Sequence, residues 1–286
     1  RLIWQRAAFY GAIGASIKKT LVRRSARMQL CNMAMLMIAQ RGQKNGRHEM
    51  FRIERAVLLA AGRGKRLRPW TDETPKPLLE VQGRPLIERL IERLLSIGLR
   101  EIYIVIGYRA EQFSYLAERF PEVQLVCNPL YDQANNILSL YAVRMHLENC
   151  IILDSDQMLR DGFELPMEFE KSCYCCTWTE QPTKEWLLTV ENHHVVNCSF
   201  GGNYGWQLFS ISFWNAADGK RLAHHLEEAY NTPDFWPFYW DNIALTLHPE
   251  AYDLDIFPVQ MGDILEFDSV RDLATIDSHY EVHHDA

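Results

Sequence analysis

Arg55-Ala-Val-Leu-Leu-Ala-Ala-Gly-Arg-Gly-Lys-Arg-Leu67 is the stretch that decides how this chain is read. Arg55 to Ala60 is a short, mostly apolar run that opens directly into glycines, the mark of a buried parallel strand feeding a ligand-binding loop. Gly62 and Gly64 let the backbone approach a ligand closely and turn its N–H groups toward anionic oxygens. Ala60 and Ala61 leave room for a flat group. The loop is not a Walker A motif, because no Gly-Lys-Ser/Thr follows. It is not the dinucleotide fingerprint either, because the third glycine of that pattern is replaced by Leu67. A P-loop kinase and a nicotinamide dehydrogenase are disfavoured on those grounds.

Working outward, the pattern alternates. Pro85 to Ile97 has apolar residues at helical spacing, with Gly98 to end it. Glu101 to Ile106, Val123 to Cys127 and Cys150 to Leu153 read as strands. Ala110 to Arg119 and Asn136 to Leu147 read as helices between them. This order predicts an α/β fold, a Rossmann-like doubly wound domain with a mostly parallel mixed central sheet. The second half changes character. Ser172 to Thr179, Leu187 to Val190, Val195 to Phe200 and Gln207 to Phe213 look like strands of a mixed sheet. Asn215 to Tyr230 reads as a helix, and its His224 and His225 as helix surface.

The 286 residues carry a net charge of −7, unevenly spread. Ten Lys or Arg and one acid, Glu49, fall in the first fifty; the remainder holds 20 basic and 36 acidic residues, a balance of −16. Such a body is a poor nucleic-acid binder, since that function rests on phosphate neutralisation. Residues 1–49 therefore read as a basic, non-catalytic extension, joined by the polar linker Arg41 to Arg47 to a catalytic domain at 50–286. No apolar run reaches 18 residues, so no stable membrane insertion is expected. The seven cysteines are irregularly spaced and several sit inside strands, which suggests reduced, buried thiols and a cytoplasmic protein. Cys173-Tyr-Cys-Cys176 lacks the second pair that a zinc site needs.

Thr74-Pro-Lys-Pro77 follows the glycine loop. Prolines on both sides stiffen the segment and hold Lys76 where it can meet negative charge building on a phosphate. Arg66 adds a fixed positive charge. Leu59-Ala-Ala-Gly-x-Gly-x-Arg-Leu67, Thr74-Pro-Lys-Pro77 and Gly83-Arg-Pro-Leu-Ile87 together resemble the signature of the sugar-phosphate and choline-phosphate nucleotidyltransferases. Asn135-Asn-Ile-Leu-Ser-Leu-Tyr141, Thr183-Lys-Glu-Trp-Leu187, Ile211-Ser-Phe-Trp214, Tyr239-Trp-Asp-Asn242 and Glu266-Phe-Asp-Ser269 narrow the resemblance to the bacterial CTP:phosphocholine cytidylyltransferases, over about residues 54–277.

The resemblance implies an enzyme that joins CTP to phosphocholine, with Mg²⁺ as cofactor and CDP-choline and pyrophosphate as products. It implies catalytic roles for Lys76 and Arg66 and nucleotide contacts from Leu59, Ala60, Ala61, Gly62 and Gly64; Tyr108, Asn128, Asn136 and Ser139 are expected base and ribose contacts by their position in the chain. Asp156 and Asp241 match metal-binding aspartates. Trp186, Tyr239 and Glu266 match choline-binding positions, and the physics agrees: a trimethylammonium group has no N–H to donate and is held by aromatic faces and nearby negative charge. Lys76→Ala is expected to lower turnover by orders of magnitude with little loss of folding. Two alternatives stand beside this reading: a sugar-1-phosphate uridylyl- or thymidylyltransferase, and a non-catalytic nucleotide sensor on the same fold.

Overall fold

The computed structural model describes residues 50–280; the extension expected at 1–49, and Cys31 with it, lie outside the described residues. The run that begins at Arg55 forms strand β1, Arg55–Ala60. There follow helix α1, Leu86–Ser96; strand β2, Ile102–Ile106; helix α2, Ser114–Arg119; strand β3, Val123–Cys127; helix α3, Ile137–Ala142; and strand β4, Cys150–Asp154. β1 pairs in parallel with β2 on one side and β4 on the other, and β3 lies outside β2. The chain thus builds outward from β1 in one direction and then crosses to its other edge. That reversal opens a crevice at the carboxyl ends of β1 and β4, where open α/β sheets bind ligands.

The period-two alternation of the strands sets two faces. Ala56, Leu58 and Ala60, with Ile102, Ile104 and Ile106, pack against Ile87, Leu90, Ile91 and Leu94 of α1 and Leu116 of α2. Val57, Leu59 and Ala61, with Tyr103 and Val105, meet Ile137 and Leu140 of α3 on the opposite face. Because β1 is covered on both sides, its sequence is continuously apolar rather than alternating. Burial of each such Leu or Ile contributes about 1.5–3 kcal/mol.

The second half supplies strands β5, Cys173–Thr179; β6, Thr183–Glu191; β7, His194–Gly202; and β8, Gly205–Trp214. Helix α4, Ala216–Tyr230, strand β9, Asp255–Pro258, and helix α5, Val270–Ala274, complete the chain. β8 joins antiparallel to β4, so one nine-stranded sheet runs β7-β6-β8-β4-β1-β2-β3, with β5 and β9 continuing from β8. The sheet is parallel among β1 to β4 and mixed beyond β4. α4 packs Leu222 and Leu226 on the face that carries α3. Gly219 makes this approach possible: a Cβ there would lie 2.0 Å from the Leu147 carbonyl oxygen.

Several boundaries differ from expectation. The helix expected over Asn136 to Leu147 ends at Ala142, because Val143 (φ −110°, ψ 11°) leaves the α region, and a 3₁₀ turn at Arg144–His146 follows. β6 starts four residues earlier than expected, which makes Trp186 a strand residue opposite Phe200 of β7. Asn192 and His193, both at positive φ, turn that hairpin, the geometry that matches strand twist. Cys150, Cys173, Cys175 and Cys176 are buried free thiols as expected; Cys198 is half-buried, and Cys127 is exposed. No helix among the described residues is long and apolar enough to cross a membrane.

A third, smaller core matters for the site. Leu67, Leu79, Val81 and Leu86 pack with Phe267, Leu273 and Tyr280. This cluster fastens the glycine loop and the Pro-Lys-Pro segment to the strand-to-α5 connection. It brings Asp268, next to the buried Phe267, up to Arg66 and Lys76.

Candidate active site

Leu59 to Leu67 line one side of a cavity of about 710 Å³, and Asp154, Ser155 and Asp156 from the end of β4 line it beside them. Gly62 has open space where a Cβ would stand, whereas a Cβ at Gly64 would come within 3.0 Å of Lys76 Cβ and Thr71 Cγ2. The loop is therefore open toward the ligand and tightly seated behind. Gly64 has φ +59°, a conformation glycine adopts at little cost. Thr71 Oγ1 donates to the Gly64 carbonyl at 2.8 Å and Ser155 Oγ to that of Leu59 at 2.6 Å, pinning both ends of the loop.

Lys76 is buried in the cavity wall and its Nζ donates to Asp156 Oδ2 at 2.5 Å and Asp268 Oδ1 at 3.3 Å. Burial pulls the ammonium pKa down, but the Asp156 carboxylate and, beyond it, Asp268 outweigh that, so it stands above its ordinary value. The side chain is a fixed cation at neutral pH. Arg66 Nη2 donates to the same Asp268 Oδ1 at 2.6 Å. Both expected catalytic cations thus converge on one carboxylate.

Not every expected residue reaches the cavity. Leu59, Ala60, Ala61, Gly62, Gly64, Asn136, Ser139, Asp156 and Tyr239 line it with Lys76 and Arg66. Asn128 stands behind: buried, it donates to Ser139 Oγ at 3.1 Å and accepts from the Leu130 N–H, so it orients Ser139. Tyr108 also stands outside the lining, its hydroxyl donating to the Thr71 and Asp72 carbonyls. Asp241 is buried and absent from the lining. Burial lifts its carboxyl to about 7, with the nearby Tyr174 hydroxyl opposing the rise, yet its Oδ1 and that hydroxyl lack a well-formed hydrogen bond. Asp268 and Asp154 stand with Asp156 on the cavity wall, and Asp241, the second metal-binding residue expected from sequence, stands behind it. Burial, then Asp156 and Asp241, push the pKa of Asp154, the last residue of β4, well above the usual range. No three His, Cys, Asp or Glu side chains converge on a common cation position among the described residues. Asp156 and Asp268 do offer two hard oxygen donors on one wall, which suits Mg²⁺ shared with phosphate oxygens.

The aromatic residues assemble beside this wall. Tyr239 lines the cavity and meets Trp186 edge-to-face, ring centroids 6.3 Å apart at 84°. Trp186 in turn meets Phe200 across the β6–β7 pair at 6.1 Å. Trp240, within the same aromatic run, is core, packed on Tyr174 and Trp214. Glu266 accepts from Gln157 Nε2 at 2.7 Å; burial, then Asp156, raise its carboxyl to about 8. Asn135 and Asn136 bind the aromatic segment to the α3 entry, Asn136 Oδ1 accepting from the Trp240 N–H at 3.0 Å and the Asn135 N–H donating to the Trp236 carbonyl.

Comparison with known proteins agrees with this geometry. The family model described as the MobA-like NTP transferase domain matches residues 56–161, which hold the glycine loop, Lys76 and Asp156. The 2-aminoethylphosphonate cytidylyltransferase of Lancefieldella rimae is 36% identical over 79% of this chain and 92% of its own. The choline-phosphate cytidylyltransferase of Streptococcus pneumoniae is 36% identical over 76% of this chain and 94% of its own. The solved structure of the Streptococcus pneumoniae CTP:phosphocholine cytidylyltransferase superposes with a TM-score of 0.72 at 35% identity, covering 80% of this chain and all of that one. The strand order, the glycine loop with its buried lysine, and these relatives together show that the chain belongs to the nucleotidyltransferases with a MobA-like NTP transferase domain, on their cytidylyltransferase branch.

Proposed function

We propose that the chain condenses CTP with phosphocholine to give CDP-choline and pyrophosphate. One observation carries the reading: a single cavity joins a phosphate-binding end, with the glycine loop, Arg66 and Lys76, to Tyr239, and Trp186, outside the lining, packs edge-to-face against that ring. A phosphate at the first and a trimethylammonium group at the second match phosphocholine. A sugar phosphate would call for amides and hydroxyls at the second end instead. The cytoplasm, which supplies CTP, is the proposed compartment.

The phosphate of phosphocholine is already an anion and needs no general base. Its oxygen forms the new bond to the α-phosphorus while the α–β bridging bond breaks and pyrophosphate leaves with the electron pair. The backbone N–H groups of the loop and Arg66 hold the triphosphate, and Lys76 faces the charge that builds on the α-phosphate. Catalysis is then positioning and charge stabilisation. Before substrate arrives, Asp156 and Asp268 keep both cations ordered. Mg²⁺ would be held by Asp156; its shared wall with Asp268 favours that residue over the expected Asp241 as second donor. When bound, the ion neutralises triphosphate charge and the leaving pyrophosphate.

Trp186→Ala tests the acceptor end. A desolvated cation–π contact contributes about 2 kcal/mol, so the KM for phosphocholine should rise about thirtyfold while the KM for CTP stays unchanged. Equal changes in both, or none, would remove Trp186 from the headgroup site.

A further inference from the structure

The middle residue of the Gly-Arg-Gly turn carries a side chain that the loop's backbone chemistry does not use. Arg63 lines the cavity. Its guanidinium carbon lies 5.7 Å from the ring centroid of Tyr131 and 5.9 Å from that of Tyr108. Its Nη2 donates to Asp132 Oδ2 at 3.4 Å, a long contact from the glycine loop to the segment after β3, both of which line the cavity. Its Nε is buried with no hydrogen-bond partner.

Both rings are themselves fixed. Tyr108 is tied by its hydroxyl to the Thr71 and Asp72 carbonyls. Tyr131 seats on Gly107, where a Cβ would fall 2.6 Å from Tyr131 Cβ and 3.0 Å from Ala61 Cβ. A glycine at 107 is thus what lets Tyr131 reach the loop. A guanidinium held between two phenol rings is preordered and loses little freedom on forming new hydrogen bonds.

The two ends of the loop differ. Arg66 and Lys76 sit with Asp156 and Asp268, whereas Arg63 faces Tyr131 and Asp132, which share the cavity wall with Asn136 and Ser139. A nucleotide whose phosphates lie against Gly64 to Arg66 and Lys76 extends its nucleoside past Arg63 toward Asn136 and Ser139. We propose that Arg63 is a nucleotide-binding residue that clasps the nucleoside part of the substrate, its guanidinium closing over base and ribose and donating to their oxygens, with Tyr131 and Asp132 holding it in place. The proposal requires an NTP but no particular acceptor, so it stands apart from the choice of phosphocholine.

Calorimetric titration with CTP and with pyrophosphate, in Mg²⁺ and without acceptor, tests it; UTP is run in parallel so that an error in base preference does not hide the effect. Arg63→Ala should weaken nucleotide binding about tenfold, in line with loss of one charge-assisted hydrogen bond, and leave pyrophosphate binding unchanged. Arg66→Ala should weaken both ligands. Gly107→Ala, which displaces Tyr131, should reproduce the Arg63→Ala loss. Wild-type nucleotide affinity in Arg63→Ala, or parallel loss of nucleotide and pyrophosphate, would overturn the assignment.

Discussion

Removing the Lys76 ammonium should cost both turnover and stability, in amounts that follow from its surroundings. The side chain is 11% exposed and contacts two carboxylates, Asp156 at 27% and Asp268 at 38% exposure. Lys76→Ala strands both, with Asp154 close to Asp156. Breaking a fully buried pair costs about 3–5 kcal/mol. Solvent reaches both acids here, so about 1–3 kcal/mol is the expected loss once screening is allowed for. At about 2–4 °C per kcal/mol for a chain of this size, the melting temperature should fall by several degrees. This revises the expectation from sequence that folding is little changed. Turnover should fall about 10²–10³-fold, as when one preorganised donor to a developing charge is lost. The assay is pyrophosphate release at saturating substrates on protein shown to be folded by circular dichroism, with thermal melts alongside. A folded Lys76→Ala protein with turnover within threefold of wild type would refute the role of this cation.

Other consequences are local. Gly219→Ala drives a methyl group into the backbone of Leu147; it should destabilise by about 3 kcal/mol or more, the upper end of overpacking costs, read as a lower urea midpoint at unchanged m-value. His225, stacked on His248 at 3.9 Å and bonded to the Tyr252 hydroxyl, has its pKa lowered by burial and then by His248, with His224 and Arg221 acting the same way and Glu228 opposing. The unfolded chain takes up this proton near the ordinary value of 6.5, which the folded ring resists. Stability should therefore fall as pH drops below about 6.5, and His225→Gln should flatten that part of the stability profile.

The parallel half of the fold was legible because its signals are local and redundant. β1 and β3 begin and end where their apolar runs do, and the spacing of Leu86, Ile87, Leu90, Ile91 and Leu94 gives α1 directly. The glycine loop and Lys76 were legible for the same reason: glycine and proline at fixed offsets leave few backbone alternatives. What escaped depends on tertiary contact. Strand β9 is four residues long and ends in proline, and only its pairing with β5 makes it a strand. Asp268 lay inside the quoted Glu266-Phe-Asp-Ser269 segment, but nothing local separates it from a helix-capping acid; the packing of Phe267 on Leu67 and Leu86 delivers it to Lys76. Asp241 looked equivalent because it too sits in an aromatic-acid motif, yet burial of its neighbour Trp240 draws it into the interior. Tyr108 and Asn128 are near the site by position but spend their polar atoms on loop carbonyls and on Ser139.

Transfer of CMP to phosphocholine is read by pyrophosphate release with Mg²⁺ in a grid of the four NTPs against phosphocholine, phosphoethanolamine, 2-aminoethylphosphonate, glucose-1-phosphate and N-acetylglucosamine-1-phosphate. The signal with CTP and phosphocholine should exceed every other pair by at least about tenfold, the discrimination given by about 1.4 kcal/mol at the headgroup. A stronger signal with 2-aminoethylphosphonate or a sugar phosphate, or none in any well from folded protein, would contradict it.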